Sequence, residues 1–225
     1  MARNKYPQET VRRILDTARR LFLEKGYDNT TVQDIVDGLG GLSKGAIYHH
    51  FRSKEDILRA VCSDSSQAEL ETLTAIRDDP DLTGREKLEC FFARTLQAVD
   101  QVELMRACPP LVDNPRLLAD QLRDTLYVVA PEYVAPVLRQ GVADGSLQTD
   151  CPEELAQMIL VLSNLWLNPI VYPMSRGELE RKLRLFVSLL NALGLDVIAP
   201  ERMDTLLQKL QSLCREDRPP NRPGL

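Results

Sequence analysis

Thr30–Leu58 reads TTVQDIVDGLGGLSKGAIYHHFRSKEDIL, and it divides into a helix, a tight turn, a short helix and the start of a serine-capped helix. Val32, Ile35, Val36 and Leu39 fall at i, i+3, i+4 and i+7, the apolar stripe of an amphipathic helix running from near Thr31 to near Leu39. Either Thr30 with Gln33 or Thr31 with Asp34 supplies a capping box at its start. Gly40 and Gly41 end it, because glycine alone takes positive φ freely and loses most entropy inside a helix. Ser43 then caps a second short helix in which Ile47 and Phe51, at i and i+4, face inward with Leu42 beside them.

At 3.6 residues per turn, the opposite face of that short helix carries Gly45 and His49, flanked by Ala46 and Tyr48, with Lys44 reaching out from its N-terminal end. These groups suit a DNA groove. A glycine admits close backbone approach, and lysine, tyrosine and imidazole can donate to phosphates or base edges. Ser53 with Asp56 forms a further capping box, and Lys54 places a cation in the first turn of the next helix, where it can meet a phosphate. The competing reading is a small helical hairpin with turn glycines and a solvated polar face. It leaves unexplained why both histidines of the chain, His49 and His50, sit beside Tyr48 on one short helix.

The flanking sequence agrees with a nucleic-acid role. Val11, Ile14, Leu15, Ala18, Leu21 and Phe22 repeat at three and four residues, which predicts a helix over 8–25 that Gly26 stops. Residues 1–25 hold seven basic and three acidic side chains. The net charge of the 225-residue chain is −5, yet residues 1–60 hold 11 basic and 8 acidic side chains, net +3, leaving 17 and 25 in the remainder, net −8. A positive head welcomes a polyanion, and an acidic body discourages lying along one.

The run from Gly26 through Leu58, with GYDNTTVQDI, SKGAIYHHF and SKEDIL, resembles the N-terminal domain of the TetR family of bacterial transcriptional repressors. The resemblance implies a three-helix helix-turn-helix DNA-binding domain, a larger helical domain binding a small organic effector, and a homodimer that releases its palindromic operator when the effector binds. By position, Lys44, Gly45, Ala46, Tyr48 and His49 match the family's recognition-helix contacts, while Thr31, Tyr48, His50 and Lys54 match its phosphate contacts. The turn GLGGLSKG is one residue longer than the commonest family pattern.

Past Ser53 the patterns are all helical, so the fold class is all-α. The domains divide as 1–53 for DNA, 54–214 for effector binding and dimerisation, and a proline-rich, core-poor tail at 215–225 expected to be disordered. Helices are predicted over 54–77, 84–107, 115–129 and 131–143, the last two separated at Ala130-Pro131, with loops at 78–83 and 144–150. Leu155, Met158, Ile159, Leu162, Leu165 and Trp166 make one broad apolar face after Pro152. Leu179, Leu183, Phe186, Val187 and Leu190 make another after Tyr172-Pro173, and residues 201–213 add a last helix. Sequence alone does not separate an inward stripe from an intersubunit one. The family resemblance favours the dimer, with Leu155, Ile159, Leu162, Leu179, Leu183, Phe186 and Leu190 at its interface.

Phe91, Phe92, Met105, Tyr127, Met158 and Trp166 are candidate liners of an apolar effector cavity, though each taken singly also suits plain core. No glycine-rich loop marks a nucleotide, and no cofactor is expected. The five cysteines, Cys62, Cys90, Cys108, Cys151 and Cys214, form no CxxC pair and find no histidines in the body to complete a metal set. No stretch reaches bilayer length and the N-terminus lacks an apolar signal core, so the expected location is the cytoplasm. An enzyme is disfavoured because no nucleophile sits beside a base, and a dimeric helical adaptor would leave the Tyr-His-His helix without a task.

Overall fold

The computed structural model describes residues 7–41, 44–95, 107, 110–171, 173–198 and 200–214. Among them the regular structure is helical, with no strand. The chain divides into two compact units, one of residues 1–70 and 101–109, the other of residues 71–100 and 110–225.

In the first unit, α1 spans Pro7–Lys25, α2 spans Val32–Gly38 and α3 spans Lys44–His50, and α4 begins at Lys54. The apolar stripes face one core in which Ile14, Ala18, Phe22, Ile35, Ile47 and Ile57 are fully buried. Phe22 and each of these isoleucines contribute about 1.5–3 kcal/mol by leaving water. Thr31 is the N-cap of α2: its hydroxyl accepts from the Asp34 backbone N–H at 3.1 Å, and the Asp34 carboxylate accepts from the Thr31 N–H at 2.8 Å. Thr30 instead turns inward, its buried hydroxyl donating to the Gly26 carbonyl at 2.8 Å. Gly38 packs against α1 so closely that a Cβ there would lie 2.9 Å from Thr17 Cγ2. After Leu39, whose carbonyl accepts from Arg13 Nη2 at 3.0 Å, Gly40 and Gly41 turn the chain with φ of 56° and 127°. The Ser43 cap and Leu42 lie outside the described residues.

At the start of α4, half of the expected capping box forms. The Asp56 N–H donates to Ser53 Oγ at 3.1 Å, but the Asp56 carboxylate accepts from the Arg52 N–H, one residue before the cap. The helix continues to Arg77 and carries the chain into the second unit.

In the second unit, α5 (Gly84–Thr95) packs on α7 (Ala135–Ala143) through the two glycines Gly84 and Gly141. Between them α6 (Pro115–Asp124) leads without interruption into a π-helical stretch, Thr125–Val134, and on into α7. The break expected at Ala130-Pro131 is therefore absent. Proline disrupts an α-helix by lacking an N–H and crowding the carbonyl four residues back. In the wider i→i+5 turn, seen where the Ala135 N–H donates to the Ala130 carbonyl, the ring is accommodated inside a continuous helix.

After Gly145, with φ 75°, α8 (Pro152–Val161) packs on the π-helical stretch and itself ends in a π-helical turn, Leu162–Trp166. The last helices are α9 (Arg176–Ala192), capped by Ser175 whose hydroxyl accepts from the Glu178 N–H at 3.2 Å, and α10 (Pro200–Leu213). Tyr172, Cys108 and the tail from residue 215 lie outside the described residues. No described helix is long and apolar enough to cross a membrane.

Candidate nucleic-acid interface

α3 is seven residues long and is held by one fully buried side chain, Ile47. With Ile47 turned inward, helical geometry sends Lys44, Gly45, Tyr48 and His49 outward, and all four are exposed, Tyr48 to 46%. Lys44 Nζ stands 6.0 Å from the centroid of the Tyr48 ring, and the His49 and His50 rings meet edge to face at 5.1 Å. Ala46 and His50 are half-buried at the margins of this face, and Phe51 is half-buried behind it. The outward surface thus combines one ammonium, one phenol and imidazole nitrogens over a helix whose glycine permits close approach. That is donor chemistry for phosphate and base edges.

Two further residues expected at phosphates have partners inside the unit. The Thr31 hydroxyl is committed to Asp34, whose carboxyl is held far below the ordinary carboxylate range, first by that hydroxyl, then by the Thr31 N–H and by Lys25 at 3.0 Å. Lys54 does not extend into solvent. Its Nζ donates to the Tyr27 carbonyl at 2.7 Å and lies 4.1 Å from the centroid of the Tyr27 ring. A lysine in a first turn usually points to solvent; here the carbonyl and the aromatic ring of Tyr27 draw Lys54 inward. Arg13, which no local sequence signal marks, joins α1 to the end of α2 through the Leu39 carbonyl.

The pattern that defines the bacterial regulatory proteins of the tetR family matches residues 14–61, which enclose α2, the turn and α3. The transcriptional repressor KstR2 of Rhodococcus jostii is 35% identical over 152 residues, covering 64% of this chain and 70% of the relative. The chain belongs to the TetR family. It is a DNA-binding transcriptional repressor. Another relative, the HTH-type transcriptional repressor DhaR of a Mycobacterium species, is 26% identical over 175 residues, 75% of this chain and 82% of the relative. In fold it resembles a putative TetR-family repressor from Mesorhizobium loti, with TM-score 0.56, 22% identity and coverage of 83% and 98% of the two chains. SmeT of Stenotrophomonas maltophilia, repressor of a multidrug efflux pump, aligns with TM-score 0.54, 21% identity and coverage of 84% and 92%.

In the body of this TetR-family chain, the expected effector liners among the described residues differ in their exposure. Tyr127 is 74% exposed. Phe91 is buried, and Phe92 packs on Phe186 with ring centroids 6.2 Å apart. Phe92 also lines a crevice with Glu89, Ala93, Val197, Ile198, Arg202 and Leu206, whose room of about 10 Å³ takes one water at most. Met158 and Trp166 are half-buried, with Lys182 Nζ 5.4 Å from the Trp166 ring centroid, and Met105 lies outside the described residues.

Of the residues expected at the interface, Leu155, Ile159, Leu179, Leu183, Phe186 and Leu190 are buried within the single chain. Leu162 is half-buried. α9 exposes a different row, Leu185 (51%), Leu189 (41%) and Leu193 at its C-cap (45%), spaced at i, i+4 and i+8.

No group of three metal-ligating side chains occurs among the described residues. Cys62, Cys90, Cys151 and Cys214 remain thiols, and burial pushes the Cys62 thiol up, away from reactivity.

Proposed function

We propose that the protein acts in the cytoplasm as a homodimeric repressor that binds a palindromic operator and leaves it when a small organic effector occupies the body. The observation that carries the reading is the outward face of α3, where Lys44, Gly45, Tyr48 and His49 stand together opposite the buried Ile47. Residues 1–53 carry the DNA function in this reading, with Ala46 and His50 at the rim of the contact and Thr31 and Lys54 supporting the backbone that approaches phosphate. Residues 54–214 carry effector binding and dimerisation.

The exposed row Leu185, Leu189 and Leu193 supplies the dimer contact. A leucine row repeating every four residues is self-complementary across a two-fold axis, as an isologous interface requires. Half-buried Leu162, Leu165 and Trp166 of the segment after α8 offer further apolar area. A dimer reads two half-sites spaced by about 34–36 Å or a multiple of it. Release by an effector needs a coupling of about 1–3 kcal/mol between the two sites.

Selection of binding sites from random duplex DNA, followed by gel shift, tests the reading. A palindromic consensus bound by wild type, and weakly bound by Lys44→Ala and Tyr48→Phe variants that remain folded, is the expected result. Unchanged affinity in both variants would remove α3 from the groove.

A further inference from the structure

The C-terminal end of α4 is not closed as other helix ends in this chain are. α1, α7 and α9 are followed by glycines in the left-handed region, Gly26, Gly145 and Gly194 with φ of 79°, 75° and 73°, which satisfy terminal carbonyls locally. α4 ends at Arg77 before Asp78, Asp79 and Pro80, and its last carbonyl is taken by a side chain of another helix. Lys87 of α5, only 3% exposed, donates from Nζ to the Arg77 carbonyl at 2.7 Å and to Gln140 Oε1 of α7 at 2.7 Å. Gln140 Nε2 then donates to the Leu82 carbonyl at 2.9 Å, so the α4–α5 loop is fastened to the same group. The negative end of the α4 dipole favours the buried ammonium, which in an apolar setting would be strongly disfavoured.

The side chain of Arg77 makes a second attachment. Nε and Nη2 bind the Asp78 carboxylate at 2.7 and 2.8 Å, holding Asp78 below its ordinary range, and the guanidinium lies 5.4 Å from the Tyr133 ring centroid. Nη1 donates to the Glu132 carbonyl at 2.9 Å. In an α register that carbonyl would accept from residue 136, which is proline and has no N–H. The guanidinium supplies a side-chain donor to that carbonyl, at the junction of the π-helical stretch with α7.

We propose that Arg77 and Lys87 are positioning residues for operator binding: together they fix the C-terminal end of α4 to the body, so that the body's conformation governs how the operator is held. This inference rests on the dimeric repressor reading above. A change in register of the 125–134 stretch would move the Glu132 carbonyl and withdraw one of the two attachments, which gives the body a means of releasing the helix. The two residues touch no DNA in this account and act only through α4.

The test compares Arg77→Gln, Arg77→Lys and Lys87→Met with wild type on two duplexes, a full palindrome selected with wild-type protein and the same duplex carrying one half-site. Arg77→Gln and Lys87→Met are expected to bind the full palindrome about tenfold more weakly, within the 5- to 150-fold range of usual site coupling, while half-site affinity stays unchanged. Arg77→Lys, which retains a donor for Glu132, should recover part of the loss. Arg77 keeps 28% of its side chain exposed, so its variants should fold even if Lys87→Met does not. Equal full-palindrome affinity in wild type and Arg77→Gln would overturn the proposal, as would an equal loss on the half-site. Failure of the wild-type protein to select any palindrome would instead fall on the repressor reading itself.

Discussion

A Cβ built on Gly84 would lie 2.2 Å from the backbone nitrogen of Gly141. The start of α5 thus rests directly on the backbone of α7, and any side chain at residue 84 must drive the two helices apart. The far side of Gly141 is equally closed, since a Cβ there would meet Leu147 Cγ at 2.7 Å.

Gly84→Ala and Gly141→Ala should each destabilise by about 3 kcal/mol, the upper part of the range for overpacking, despite alanine's better helix propensity. In a protein of this size that lowers Tm by about 6–12 °C. Gly177→Ala is the control. Its Cβ would meet only Arg181 Nη1 at 3.6 Å, and thermal unfolding should show no loss.

Charge placed on the two leucine faces of α9 should have opposite consequences. Leu189→Glu, on the exposed row, should yield a folded monomer by sedimentation, whereas Leu183→Glu, fully buried within the chain, should fail to fold. A folded Leu189→Glu dimer at micromolar concentration would place the interface elsewhere.

Lys44 and Lys54 should separate DNA binding from stability. Lys44→Ala should leave unfolding unchanged and reduce the salt slope of DNA binding by about 0.9 for each half-site occupied. Lys54→Ala removes the donor to the Tyr27 carbonyl and the cation over its ring, and should lower stability by about 1–2 kcal/mol in denaturant titration. Identical unfolding of Lys54→Ala and wild type would mean that the inward ammonium holds nothing.

Acid should weaken the fold in part through its capping carboxylates. Asp34 is held low chiefly by the Thr31 hydroxyl, Glu86 by the Thr83 N–H and hydroxyl, and Asp144 by Ser146 and the Gly84 N–H. A carboxyl with a depressed folded-state pKa binds fewer protons than the unfolded chain, so its contribution is complete above the unfolded value, about 4, and is lost as pH falls toward the folded one. Urea midpoints should be flat from pH 7 to 5 and fall below pH 4. Asp34→Asn and Glu86→Gln should show a shallower fall than wild type.

The helices of the head were legible because their signals are local. The stripe at Val32, Ile35 and Leu39, the Thr31–Asp34 box and the Gly40–Gly41 stop each act within four residues, and α1, α2 and α4 begin and end within a residue or two of where those signals put them. Pro131 misled because its effect depends on the register around it, which periodicity does not encode. The leucines of α9 divide for a geometric reason: Leu179, Leu183, Phe186 and Leu190 share the stronger apolar stripe, and that stripe is covered by the chain's own core. Leu185, Leu189 and Leu193 form a thinner row that becomes conspicuous only once the inner face is covered. Lys54 could not be placed without the ring of Tyr27, 27 residues earlier.

Isolated helices shorter than about 12–15 residues do not persist in water, and α3 has seven residues. Its order is borrowed from the bed that receives Ile47, so a fault there should release the helix before the rest of the domain gives way. Substitutions such as Ile14→Val or Phe22→Leu, far from any nucleotide, are therefore expected to yield thermosensitive derepression: strains that silence the target gene when cool and express it when warm, while the protein itself remains folded and abundant.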